Sequence, residues 1–250
     1  MEKLFDILHE DADLLVLNKP ADLVCHPTKG DVYSSLISRV RLYLGAATTP
    51  HLINRLDRET SGVTVVAKTT AAAGELGKLW ETRAVRKEYR AIVHGHVHED
   101  NGVIDAPLGK DEQSRVAIKD CVRPDGAPAQ TEYLVEQRFA RTGPTGTEVS
   151  KFSLLRLFPL TGRKHQIRIH LAHHGNPIVG DKLYGRDEDL YLALVERRLT
   201  EAQRTRLMLP NHALHAGAVQ FVWRGQPQEF RAAPEAWFTG FLPGEGERGI

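Results

Sequence analysis

The chain has 250 residues, 41% of them hydrophobic and 26% charged; that length and balance exclude a disordered or membrane-embedded protein and allow a substantial buried core. Its 33 basic and 32 acidic residues give a formal net charge of +1, which excludes the whole-chain basic excess typical of nucleic-acid binders and leaves only local patches for such a role. The two cysteines, Cys25 and Cys121, lie too far apart for a dense disulfide framework, and the N-terminus has no signal-length or membrane-length apolar run, so the expected location is the cytoplasm.

Leu4 to Leu8 and Leu14 to Leu17, split by Glu10-Asp11-Ala12-Asp13 and closed by Lys19-Pro20, read as two short strands. Asp31 to Leu44 reads as a helix: Val32, Leu36, Ile37, Val40 and Leu44 recur at helical spacing, Asp31 suits the cap and Gly45 the end. The loop Ala46 to Pro50 leads into HLINRLDRETSGVTVVAK, where a polar stretch ends at Gly62 and feeds the β-branched run Val63 to Val66. Thr69 or Thr70 opens a helix with Ala72, Leu76, Leu79 and Trp80 on one face. Lys87 to Val97 follows as a strand with Tyr89, Ala91 and Val93 on one side.

After a loop-rich middle, strands are predicted at Arg115 to Lys119, Gln130 to Phe139 and Val149 to Phe158. TGRKHQIRIHLAHHG predicts a helix over Arg163 to His174, capped by Thr161 and ended by Gly175, with His165 and Arg168 on one face. Asp187 to Leu209 reads as a helical pair, the second member opening with Thr200 and Gln203 at capping-box spacing. Gly225 and Pro227 mark a hairpin between Ala218 to Trp223 and Glu229 to Arg231, and the tail after Pro243 is expected to be mobile. The fold class is α+β, in a single domain spanning 1–250 with its core from about residue 5 to residue 238.

The densest polar cluster is Asn54-Arg55-Leu56-Asp57-Arg58-Glu59-Thr60-Ser61-Gly62, at a loop-to-strand junction where functional side chains are often displayed. By chemistry alone Asp57 fits three roles: nucleophile, general base, or surface ion-pair partner. His94, His96 and His98 alternate along the predicted strand, and His165, His170, His173 and His174 crowd the helix. Neither group has the spacing of a zinc site, so no metal is expected.

RLDRETSG resembles the R-L-D-x-x-T-S-G signature of RluA-type RNA pseudouridine synthases. LLVLNKPADLVCHP is similar to the opening N-K-P segment of that family, Lys87-Glu88-Tyr89 to its K-x-Y element, GRKHQIRIHLAHHGNPIVGDKLYG to its G-R-x-H-Q-I-R segment, and Leu214-His215-Ala216 to its late L-H-A element. The five occur in family order over nearly the whole chain. Asn54 departs from the histidine common before R-L-D, and Asp22 replaces a usual glycine, which leaves the local turn open to question. The resemblance implies a pseudouridine synthase fold, with a mixed, largely antiparallel sheet flanked by helices and a central RNA-binding cleft; because the matching portion begins almost at residue 1, the N-terminal S4-type domain of many relatives is not expected.

The resemblance also implies roles. Asp57 matches the catalytic aspartate, Tyr89 the tyrosine packed on the target base, Arg168 the arginine paired with the aspartate, and Arg55 the arginine that fills the gap left by the flipped nucleotide. Arg83, Arg86, Lys87 and Arg90, with Arg163 and Lys164, form the two basic stretches expected to meet phosphates of structured RNA, ribosomal or transfer. The implied enzyme isomerises uridine to pseudouridine with an aspartate and no cofactor, without a membrane or an obligate protein partner, as a monomer. Two rival readings remain: a catalytically silent RNA-binding protein on the same fold, which loss of Asp57, Tyr89 or Arg168 would have indicated, and a histidine-based metal hydrolase.

Overall fold

A computed structural model of the chain describes residues 5–27, 35–142, 148–185 and 187–244. The elements in chain order begin with β1 (Asp6–Glu10), β2 (Leu14–Lys19), α1 (Leu36–Leu44), β3 (His51–Leu52), β4 (Ser61–Ala67) and α2 (Thr70–Glu81). There follow β5 (Val85–His94), β6 (Asn101–Asp105), β7 (Leu108–Lys110), β8 (Asp120–Val122), β9 (Gln130–Thr142) and β10 (Val149–Pro159). The chain closes with α3 (Gln166–His173), α4 (Asp189–Val195), α5 (Glu201–Leu207), β11 (Leu214–Trp223), β12 (Gln226–Arg231) and α6 (Ala236–Thr239). They fall into two compact units, Met1–Glu88 with His215–Glu235, and Tyr89–Leu214 with Ala236–Ile250.

In the first unit β2 pairs antiparallel with β1 on one side and β4 on the other. The second edge of β4 is divided: β3 covers its end at Val66 and Ala67, and β11 runs parallel to its start, with Ser61 opposite His215 and Gly62 opposite Ala216. Every residue of β4 is buried, as expected of a strand whose Val63 to Val66 run is β-branched throughout and carries Thr64 as its one polar side chain. Helix α2 is capped by Thr69, whose side chain accepts from the Ala72 amide, and lays Ala72 and Leu76 onto Val63, Val65 and Phe221. The β11–β12 hairpin turns through Arg224 and Gly225, both at positive φ, the geometry that suits a two-residue hairpin loop.

The second unit is a run of antiparallel neighbours, β10 between β5 and β9, and β9 between β10 and β6, with β7 and β8 as a separate pair. Phe139, Phe152 and Phe241 pack in edge-on and tilted pairs within its core, and Ile167 and Leu171 of α3 close onto the same cluster.

Several predicted boundaries shift. Helix α1 starts at Leu36, not Asp31, because Ser35 caps it by accepting from the Ser38 amide; Asp31 itself lies outside the described residues, as does the tail from 245. Arg115 to Lys119 is not a strand. Its chain turns back so that the Lys119 amide reaches Val116 O, while Ser114 and Lys119 bind Glu188 and Val116 is buried. Strand β5 ends at His94, where Gly95 takes φ +83 and its amide bonds Lys151 O, so His96 and His98 do not continue a strand face. Helix α3 begins at Gln166, three residues later than expected, and Thr161 does not cap it. Strands β3, β6, β7 and β8 and helix α6 were not anticipated, whereas Thr200 and Gln203 form the full reciprocal capping box.

Candidate active site

Asp57 is half-buried on the loop between β3 and β4, and each side of the loop is tied down. On the entry side the Ile53 amide donates to Val65 O, and the Asn54 side chain reads β4 twice, donating from Nδ2 to Val63 O at 3.0 Å and accepting from the Val65 amide at 2.7 Å. The asparagine that departs from the family pattern is therefore a clasp. Leu56 is buried, its amide 3.4 Å from Cys25 Sγ, whose thiol in turn donates to Leu56 O at 3.3 Å. The Thr60 amide closes a turn onto Asp57 O at 3.2 Å.

On the exit side Ser61 Oγ meets His215 Nδ1 at 2.8 Å, and His215 Nε2 donates to Ala232 O at 3.0 Å. The carbonyl can only accept, so in the neutral imidazole the proton sits on Nε2 and Ser61 donates to Nδ1. Gly62 has φ +116, and a Cβ there would stand 2.2 Å from Ala216 O, so the approach of β11 requires glycine.

Beneath this loop lies Lys19, fully buried, its Nζ donating to Pro20 O and Leu23 O at 2.8 Å and to Arg58 O at 3.1 Å. Burial pushes its pKa down to about 8, against the pull of Cys25, Glu235, Asp57 and Asp22, which favours the charged form. Asp22 takes φ +64, a left-handed conformation that asparagine and aspartate tolerate better than most residues, and accepts from Arg58 Nε at 2.7 Å. This answers the open question about that turn: the departure from glycine is accommodated and gains an ion pair. Arg55 is exposed beside Asp57.

In the second unit Tyr89 is half-buried on β5, opposite Leu157 of β10 and against the main core. Arg168 is buried on α3 and pairs with Asp181: Nε donates to Oδ2 at 2.7 Å and Nη2 to Oδ1 at 2.9 Å. Asp181 Oδ1 also accepts from the amides of Leu183 and Tyr184, at 2.9 and 3.0 Å. Burial alone would raise the Asp181 pKa; the charge and hydrogen bonds of Arg168 overcome it and hold the carboxyl far below the usual range. The guanidinium carbon sits 5.0 Å from the centre of the Tyr184 ring.

His165, just before α3, has φ +56, and its Nδ1 lies 2.8 Å from the Tyr184 hydroxyl, which accepts from the Asp120 amide at 3.2 Å. Gln166 is the bolt of this corner. Its Oε1 accepts from Thr161 Oγ1 and the Arg163 amide, and its Nε2 donates to Gln130 O and Thr131 Oγ1. Those bonds, made to other elements, explain why Thr161 leaves the capping position and the helix starts late.

Among the residues assigned to phosphates, Arg86, Arg163 and Lys164 are exposed; Lys164 also pairs with Asp120 at 2.8 Å. Lys87 is half-buried, and burial followed by the charge of Arg83 pushes its pKa down. Arg90 and Arg156 both bind Glu136. The histidines are engaged separately: His96 with Phe139 O, His98 with Glu99, His170 with Thr131 and Ala106 O, and His174 with Asn176. Among the described residues no three of His, Cys, Asp or Glu are grouped to hold a metal ion.

Lys19, Asp181 and the Ser61–His215 pair were given no role from sequence. Each stood inside a quoted motif, but a strand-end lysine and an aspartate after glycine read as solvated until burial is known.

Comparison with known proteins adds an independent line. Residues 13–173 match the model of a family described as RNA pseudouridylate synthase. The RNA pseudouridine synthase YlyB of Bacillus subtilis is 32% identical over 222 residues, covering 86% of this chain and 64% of the relative. Ribosomal large subunit pseudouridine synthase D of Escherichia coli K12 is 36% identical over 183 residues, covering 72% of this chain and 52% of the relative. The chain thus spans between about half and two thirds of the length of these relatives. Human RNA Pseudouridylate Synthase Domain Containing 4 superposes with a TM-score of 0.69 at 28% identity, over 94% of this chain and 90% of that one.

Proposed function

The chain belongs to the RNA pseudouridylate synthase family, and on that footing we propose that it isomerises uridine to pseudouridine in structured RNA with Asp57 as its catalytic carboxylate. The observation that carries this reading is the loop itself. In R-L-D-R-E-T-S-G Asp57 and Glu59 are both partly buried acids on a segment anchored by Asn54, Leu56, Thr60 and Ser61, and Asp57 is the one whose charge acts on the buried Lys19 ammonium. A surface ion-pair aspartate needs no such support; a reacting group held in one place does.

The reaction breaks the bond from C1′ to N1 of the uracil, turns the detached base, and joins C5 to C1′, with the C5 proton lost and one gained at N1. No electrons are exchanged and no water is consumed. An ionised carboxylate suits either attack on the sugar or removal of a sugar proton. Tyr89 is assigned the face of the extruded base, Arg55 the space it leaves in the stack, and Arg168 the role of orienting cation; Arg86, Lys87, Arg163 and Lys164 are assigned the phosphates. The protein is read as a monomer, and its two free thiols suit the cytoplasm. The relatives' names favour ribosomal RNA over transfer RNA as the substrate class.

The test is release of tritium from RNA labelled at uracil C5, with ribosomal and transfer RNA offered separately, followed by carbodiimide mapping in cells with and without the protein. Release from ribosomal RNA is expected, and at least one mapped site should vanish with the protein. Binding without release from either RNA would replace the enzyme by the silent RNA-binding reading.

A further inference from the structure

Arg168 is gripped by two groups on the segment after α3. Asp181 grips one edge of the guanidinium through Nε and Nη2, and Tyr184 lies under its face with the guanidinium carbon 5.0 Å from the ring centre. Asp181 cannot swing away, since its Oδ1 is also held by the Leu183 and Tyr184 amides and the residue is buried. Tyr184 is fixed in turn through its hydroxyl, which meets the Asp120 amide and His165 Nδ1. A guanidinium has one conjugated plane and five N–H donors in a rigid fork. Binding its Nε–Nη2 edge and one face defines that plane and leaves Nη1 as the arm outside the grip.

We propose that Asp181 and Tyr184 are positioning residues that set the plane of Arg168 so that its Nη1 arm acts in uridine isomerisation, an assignment that rests on the activity proposed above. A buried ion pair is poor evidence for stability in itself. A bidentate grip backed by two main-chain amides is instead the arrangement that fixes where a third donor points.

The experiment pairs arginine-selective 15N spectra of the guanidinium with single-turnover pseudouridine formation and RNA binding, for wild type and Asp181→Asn. In the wild type, rotation within the Arg168 guanidinium should be frozen and its Nη protons resolved. In Asp181→Asn they should merge, and the single-turnover rate should fall about 100-fold, as a misaligned catalytic group costs, with RNA affinity unchanged. A lower melting temperature with the rate per folded molecule unchanged would mean a purely structural pair and overturn the proposal. Should Asp181→Asn not fold, Tyr184→Leu keeps the ion pair and removes the ring together with its hydroxyl contacts to Asp120 and His165: a fall in kcat at constant KM supports the assignment, and an unchanged kcat overturns it. The spectra need no substrate. A wild-type protein with a rigid Arg168 that forms no pseudouridine therefore counts against the activity and not the clamp, whereas a mobile Arg168 overturns the clamp whatever the activity.

Discussion

Asp57→Asn keeps the shape of the side chain and removes the charge that either route of the proposed reaction requires. Tritium release should be abolished while RNA binding persists. The melting temperature should stay close to wild type, because Arg168 has Asp181 and is not left as an uncompensated buried charge, the situation that costs about 3–5 kcal/mol. Wild-type turnover in a folded Asp57→Asn protein would remove Asp57 from the mechanism. Lys19 supplies a separate test in pH. Its folded-state pKa, near 8, lies below the ordinary 10.5. Below about pH 8 both states are charged and the native state bears the whole desolvation cost, about 3 kcal/mol from the size of the shift. Between that pH and the ordinary value the unfolded chain keeps a proton that the native chain has released, so stability from this group rises with pH. Urea unfolding at pH 7.5 and 9.5 should show the wild type gaining on Lys19→Met, and a difference that stays flat or falls would mean that the ammonium is not desolvated.

Elements whose determinants are local were readable from sequence. Thr69 and the Thr200–Gln203 box cap helices through atoms three residues away, and the Arg224-Gly225 turn needs only two positive φ values. The start of α3 was not readable, because Gln166 answers to Gln130 and Thr131 on another strand, nor was the fate of Arg115 to Lys119, which is decided by Glu188 about seventy residues on. The site divides in the same way. Asp57, Tyr89 and Arg168 stand in recognisable motifs, but the grip of Asp181 on Arg168 and the burial of Lys19 are tertiary facts. Gly62 belongs to both sides of this division: it is visible as the end of the polar loop, yet its necessity comes from the carbonyl of Ala216. Gly62→Ala adds a Cβ where φ is +116 and the contact would be 2.2 Å, so the β4–β11 pairing must open and the Ser61–His215 bond with it. The expected loss exceeds about 4 kcal/mol in chemical denaturation. Near-wild-type stability would mean that the two strands are not held at this spacing.

The molecule as a whole is close to neutral, with a formal charge of +1, and the chain passes between its two compact units at 88–89, 214–215 and 235–236. Neither unit is a continuous segment, so truncation cannot separate the carboxylate of the first from the arginine of the second, and binding has to be dissected by point substitution. With no global field to draw RNA in, affinity must rest on a few cations, and that makes its salt dependence countable. The cations assigned to phosphates are Arg86, Arg163 and Lys164, all exposed, and the half-buried Lys87. Four phosphate contacts predict a slope of log K against log salt of about −3, so a rise from 50 to 200 mM salt should weaken binding about 50- to 150-fold. Arg86→Ser and Arg163→Ser should each flatten the slope by about one and weaken all RNA sequences alike, since phosphate contacts carry no sequence information. Lys164→Ser should do less, because Asp120 already holds part of that charge. Filter binding across a salt series measures all of these slopes, and a wild-type constant that does not move between 50 and 200 mM would show that these side chains do not meet the phosphates.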